Sequence, residues 1–185
     1  MVPAEDSKVT QLAHVTLDRL CALFQGEAMD ASYGEDISIR AHMLHCAELA
    51  QADGLPQTLI AAALLHDIGW TMPGQHEAAA ADWLEPLFGP AVTEPIRLHV
   101  AAKRFLVASD PAYLGRLSGE SLRTLKLQGG PMSGLEMDEF MRLPGHAEAL
   151  MLRRIDDLGK PTHAPTSRFE DYSALLAALA DPPPV

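Results

Sequence analysis

The sequence predicts an all-α protein that folds as a single domain, and three observations carry this. Apolar residues recur at three- and four-residue steps almost throughout. No segment alternates apolar and polar residues for long enough to make a half-buried strand. Ala and Leu dominate the apolar set while Val, Ile and Thr are sparse, a balance that favours helix over sheet. At 185 residues the chain has the length of one domain, and no internal repeat or Pro/Gly/Ser-rich linker divides it.

The elements follow in order. Val9, Leu12, Ala13, Leu17, Leu20 and Phe24 line one face of a helix expected over 9–24, with Ser7 as its N-cap. Gly26 to Asp36 reads as a loop. Ser38 caps a second helix that runs to about Asp53 and stops at Gly54. Pro56 suits the first turn of a third helix, from Gln57 to about Asp67, which Gly69 ends. The same spacing places helices near 76–88, 92–107, 119–127, 134–142, 145–158 and 169–180. Asp181-Pro-Pro-Pro-Val185 cannot be helical, because proline lacks the amide and clashes with the preceding turn. The expected layout is one domain over 1–180 and a Pro-rich tail over 181–185.

Composition excludes several function classes. Lys and Arg number 14 against 25 Asp and Glu, a formal net charge of −11. Such a charge opposes tight binding to nucleic acid or to an anionic membrane. The longest apolar run, Leu59 to Leu65, is far too short to span a bilayer. The first residues carry Glu5 and Asp6 and lead into no apolar segment, so no signal peptide is expected. Cys21 and Cys46 cannot make a disulfide framework. The expectation is an acidic cytoplasmic protein with no nucleic-acid or membrane partner and no obligate protein partner.

Eight histidines are more than such a protein needs. His66-Asp67 ends a helix that is apolar on all faces from Ile60 to Leu65. Burying an ionisable pair there is costly unless a charge meets it, and a metal dication is the simplest such charge. Alone, the pair reads better as an Asp that caps a loop and a His bonded to it. It is not alone. His42 lies mid-helix, His76 opens a helix as His76-Glu77, His99 sits in a helical run, and Asp156 follows Leu152 and Ile155. Four imidazoles and two carboxylates thus stand on five separate helices, as in metal sites built inside helical bundles. Imidazole with carboxylate suits Fe, Mn or Zn, and the lack of clustered thiols argues against an iron–sulfur or Cys-rich zinc site, even with Cys46 four residues after His42. His14 is expected on an outer helix, and His45, His146 and His163 have no partner in the pattern.

The order His…His-Asp…His…His…Asp resembles the HD-domain superfamily. A mononuclear HD site needs only His42, His66-Asp67 and Asp156; His76 and His99 resemble the dinuclear branch. Most of that branch are phosphohydrolases. A smaller group comprises mixed-valence di-iron oxygenases, namely inositol oxygenase and the PhnZ-like phosphonate-cleaving oxygenases. Tyr33-Gly34-Glu35, His99 with Lys103, Ser118-Gly-Glu-Ser121-Leu-Arg-Thr124-Leu, Gln128-Gly-Gly-Pro-Met-Ser133 and Leu152-Arg-Arg-Ile-Asp156-Asp157 resemble the phosphonate oxygenases. The likeness runs from about 33 to 160, which marks the expected metal-binding core of an HD-domain helical bundle.

Carried over by position, the resemblance implies that His42, His66, Asp67 and Asp156 hold one iron and that Asp67, His76 and His99 hold the other, with Asp67 bridging. Asp157 is the neighbouring alternative to Asp156. Tyr33 resembles a mobile tyrosine that substrate displaces from the second iron, and Glu35 resembles the acid that receives a substrate ammonium. Their spacing is two residues where three is usual in the relatives, so Asp36 competes with Glu35. Lys103, one turn after His99, would reach a phosphonate bound beside His99. Ser121 and Thr124 share the first turns of a short helix, where free amides also attract anions, although capping explains Thr124 nearly as well. Trp70 stands where the family often has His, and the loop from Asp67 to His76 is short. An indole is a poor phosphonate donor but a good face for a quaternary ammonium, and packing at the rim or in the core is an equal reading.

The resemblance therefore implies an iron-dependent oxygenase that takes O2 and a small organophosphonate. Its substrate would be a 1-hydroxy-2-(amino or trimethylammonio)ethylphosphonate, and its products phosphate and glycine or glycine betaine. Catalytic roles fall to Tyr33 and Lys103, and the cofactor is a mixed-valence pair of Fe ions. The alternative is a dinuclear HD-domain phosphohydrolase, in which a metal-bound water attacks a phosphate ester. A ligand-binding sensor on a degenerate HD fold is a third reading, weakened because all six ligands are present.

Overall fold

A computed structural model of the chain describes residues 15–32, 36–161 and 163–180. Among them the structure is helical and has no strand; a lone antiparallel bridge joins Ser32 to Ser38.

α1 (Leu17–Gln25) starts later than the apolar spacing suggests. Thr16 is extended (φ −127°, ψ 161°), and its hydroxyl accepts from the Arg19 amide at 3.2 Å. A capping hydroxyl ends the helix where periodicity alone would have continued it. Ser7, Val9, Leu12, Ala13 and His14 lie outside the described residues. Leu20 and Phe24 face the core as expected. The following loop holds a 3₁₀ turn (Glu27–Asp30), tied down by Arg40, which donates to the carbonyls of Phe24, Gln25 and Gly26.

Ser38 caps α2 (Ile39–Ala52) as predicted, accepting from the Ala41 amide at 3.2 Å. α3 (Gln57–Leu65) is buried from Leu59 onward and forms the centre of the bundle. Each large aliphatic side chain buried there contributes about 1.5–3 kcal/mol. α3 ends two residues before the expected Asp67. Asp67 turns out of the helix (φ −102°, ψ 6°) into a 3₁₀ turn over Ile68–Thr71.

α4 (His76–Phe88) and α6 (Gly119–Leu127) match their expected limits. α5 (Pro90–Ser109) is longer at both ends than expected; its first turn accepts Pro90 because an N-terminal residue needs no amide partner. α7 (Gly134–Phe140) and α8 (His146–Leu158) follow. The segment expected as one helix near 169–180 divides into a 3₁₀ turn (Phe169–Tyr172) and α9 (Ser173–Leu179). α5 packs on α4 and α8, α3 lies against α2 and α5, and α2 closes on α8. No described helix is long and apolar enough to cross a membrane.

Two glycines let these elements meet at the site. A Cβ at Gly69 would overlap the His76 carbonyl oxygen, so the missing side chain lets the start of α4 close over the end of α3. A Cβ at Gly159 would overlap Cys46 Sγ, so the end of α8 can press against α2 beside His42.

Candidate metal centre and substrate cleft

The six predicted ligands converge from five helices. α2 carries His42, the end of α3 carries His66 and Asp67, α4 opens with His76, α5 carries His99, and α8 carries Asp156. All are buried except His76, whose side chain is 12% exposed.

Hydrogen bonds set which ring nitrogen faces inward. His42 Nδ1 donates to the Gly159 carbonyl at 2.8 Å, His66 Nδ1 to Ala63 at 2.9 Å and His99 Nδ1 to Ile96 at 2.7 Å. A neutral imidazole that donates from Nδ1 presents a lone pair at Nε2. Those Nε2 atoms meet in pairs: His42 and His66 are 3.3 Å apart, and His76 and His99 are 3.2 Å apart.

Asp67 lies between the pairs. Its Oδ2 is 3.8 Å from His42 Nε2 and 3.5 Å from His66 Nε2, while its Oδ1 is 3.4 Å from His76 Nε2 and 3.8 Å from His99 Nε2. Asp156 Oδ1 joins the first pair, 3.1 Å from His42 Nε2 and 3.9 Å from His66 Nε2. Two lone pairs facing each other across 3.2–3.3 Å repel unless positive charge lies between them. The donor set, imidazole nitrogen with carboxylate oxygen and no thiolate, fits iron at both positions.

The electrostatics agree. Burial works against charge on both carboxyls, yet His66 and His76 hold Asp67 far below the usual carboxylate range, and Arg153, His42 and His66 do the same for Asp156. Burial also pushes His66 down, but Asp67 and Asp156 overcome it and raise the imidazole to about 9, so that without a metal a proton on His66 supplies the positive charge between the paired nitrogens. His99 drops to about 3, first through burial and then through the neighbouring His76 and His66. Burial, followed by Asp156 and Asp67, raises the Cys46 thiol well above its ordinary value. Cys46 Sγ is 3.7 Å from His42 Nε2, and the thiol stands with His42 and His66 in one group of possible ligands.

A narrow cleft, with enclosed space of only about 30 Å³, opens beside this centre. One wall carries Asp67, His76, His99 and Trp70; the other carries Lys103, Arg153 and Lys160 together with Glu120. Lys103 is 3% exposed, and its Nζ donates to Thr124 Oγ1 at 2.9 Å. Burial, then the nearby Arg153, lowers its ammonium to about 8. Ser121 Oγ accepts from Arg153 Nη2 at 3.4 Å and from Lys160 Nζ at 3.3 Å. With both lone pairs engaged, the Ser121 hydroxyl proton is free to be donated. The Gln128 Oε1 atom is buried with no hydrogen-bond partner at the same cleft.

Trp70 reaches the cleft at its rim, 39% exposed, with its ring stacked on His76 (centroids 4.4 Å apart, 16° between planes). Tyr33 and Glu35 lie outside the described residues. Asp36 is exposed and does not line the cleft. Asp157 faces away from the histidines and pairs with Tyr113 and Arg153. Sequence reasoning missed Arg153 and Lys160. Arg153 stands three residues before Asp156, the spacing that puts two side chains on one helical face, and it binds Asp156 Oδ2. Lys160 is in coil and left no such signal. His45 stays outside the ligand set: it is buried, with Nε2 2.9 Å from the His163 carbonyl and Nδ1 3.2 Å from Glu48 Oε2.

No family model matches the chain. Curated proteins do. The chain is 35% identical over 171 residues to a 1-hydroxy-2-(trimethylamino)ethylphosphonate dioxygenase (glycine-betaine-forming) of Leisingera caerulea, a match covering 86% of this chain and 87% of that one. It is 36% identical over 179 residues to a hydroxymethylphosphonate dioxygenase of Gimesia maris, covering 89% of each. An uncharacterized protein of Acanthamoeba polyphaga mimivirus is 37% identical over 157 residues, covering 77% of this chain and 72% of its own.

Proposed function

The chain belongs to the PhnZ-like phosphonate dioxygenases of the HD-domain superfamily, and on that premise we propose that it is an iron-dependent oxygenase that cleaves the C–P bond of a 1-hydroxy-2-(amino or trimethylammonio)ethylphosphonate. The observation that carries this reading is Asp67, whose two oxygens each face a separate pair of imidazole nitrogens. His42, His66, Asp67 and Asp156 would hold one iron, and Asp67, His76 and His99 the other. Iron held there would supply the redox chemistry that O2 activation requires.

The remaining residues bind and orient. Lys103 and Lys160 place positive charge on one wall of the cleft, where Arg153 is already paired with Asp156 and Asp157, and a phosphonate dianion is the ligand that this charge would receive. Thr124 accepts one proton of the Lys103 ammonium and so aims the other two. Ser121, already accepting from Arg153 and Lys160, donates its own hydroxyl proton to a phosphonate oxygen. Holding the phosphonate on that wall leaves the hydroxyl-bearing carbon to face His76 and His99. Trp70 flanks the rim with one ring face on His76, so a quaternary ammonium would use the other.

The overall reaction balances without an external reductant. The hydroxyphosphonate dianion and one O2 give the amino-acid carboxylate, hydrogen phosphate and one proton; the substrate gives up four electrons and O2 takes them. The phosphohydrolase alternative would use the same six side chains, but both relatives with a stated activity are dioxygenases. Phosphate release from candidate hydroxyphosphonates, measured with and without O2 in the iron-loaded protein, is the test. Release that needs O2 is expected, and release at equal rates without it would return the chain to hydrolysis.

A further inference from the structure

The four imidazoles are not held alike. His42, His66 and His99 are each pinned through Nδ1 by a backbone carbonyl and are almost wholly buried. His76 has no such carbonyl. Its Nδ1 faces the Glu77 carboxylate at 3.1 Å, its side chain is 12% exposed, and it sits at the first residue of α4, where the backbone is least constrained by its own helix. The Trp70 indole is stacked flat against its ring. The turn that carries Trp70 is locked to α4 by the close approach of Gly69 to the His76 carbonyl.

We propose that Trp70 and Glu77 are positioning residues for His76, which fix its ring so that the Asp67–His76–His99 half of the centre can hold its metal. The proposal rests on the two-metal reading above. Stacking restricts the tilt of the imidazole, and the carboxylate at Nδ1 both selects the tautomer that leaves Nε2 open and makes that nitrogen a stronger donor. The other half has four donors, and both of its imidazoles are fixed by main chain. The His76 half has three donors, one of them fixed only by side chains near solvent, so it is the weaker half. Because its ring lies on the imidazole, Trp70 also reports on that half by its emission.

The test is an anaerobic titration of the metal-free full-length protein with Fe2+, followed by calorimetry and by indole emission. The chain has 2 tryptophans, and a Trp83→Phe background leaves Trp70 as the emitter. Two binding events are expected, with the emission change following the weaker one. Glu77→Gln and Trp70→Ala should each weaken that event about 10–100-fold, the usual cost of removing a partner that orients a metal-binding histidine, and leave the tighter event unchanged. Trp70→Phe, which keeps a ring to stack, should recover most of the loss. Equal losses in both events, no loss in either, or a Phe variant no better than Ala would overturn the positioning role. A wild-type protein that binds fewer than two ions would instead overturn the paired-metal reading itself.

Discussion

Lys103 is the residue whose chemistry is easiest to isolate, because it lies in the cleft and bonds to Thr124 rather than to any proposed ligand. Lys103→Ala should raise the substrate dissociation constant about tenfold or more, since a charge-assisted hydrogen bond is worth roughly 1.5–3 kcal/mol, while metal content stays at the wild-type level. Equilibrium binding and metal analysis of one preparation check both halves. The same ammonium sets a pH dependence. Burial lowers it to about 8, so it is charged below that pH and neutral above it. Affinity for the phosphonate dianion should therefore fall as pH rises through about 8, and Lys103→Ala should flatten that limb. Trp70 bears on the nitrogen substituent. We expect kcat/KM to favour the trimethylammonio substrate over the primary amine, with the ratio collapsing in Trp70→Leu; a ratio cancels any metal loss common to both substrates. Asp156 reaches His42 while Asp157 pairs with Tyr113, a difference that adjacent positions in the sequence do not display. Arg153 was not legible, because a buried cation looks the same in sequence as an exposed one until its partners are known.

Helices are where the sequence was most informative. α2, α3, α4 and α6 have apolar periodicity bounded by capping serines, prolines or glycines, and their limits fall within two residues of the expected ones. The misses have local causes. Thr16 stops α1 by offering a better partner to the Arg19 amide, and Asp67 leaves α3 to face two sets of histidines. The role of Gly69 was hidden too, since a glycine that ends a helix and a glycine that admits another helix look alike. It is now a sharp target. Gly69→Ala must move either the turn or the start of α4, a kind of overpacking that costs about 1–3 kcal/mol. Denaturant unfolding should register that loss, and metal analysis should show iron lost first from the half that depends on α4. A variant as stable and as metal-rich as wild type would mean the two backbones separate easily.

Across the whole molecule the proposed metal centre ties together five helices through one carboxylate. Asp67→Ala should therefore lose iron from both halves, so metal analysis should find close to none rather than one ion per chain. Because metal that binds only the folded chain stabilises it by mass action, a chelator should lower the melting temperature of wild type and hardly change that of Asp67→Ala. The contact between His42 and the Gly159 carbonyl has a consequence of another kind. These groups touch at 2.8 Å yet stand 117 positions apart in the chain. During synthesis, α2 emerges from the ribosome long before the end of α8 that completes its histidine's surroundings. Contacts of such high sequence separation form late, after local helices and their neighbours have docked. A metal ion bound between these residues would therefore enter a bundle that is already assembled.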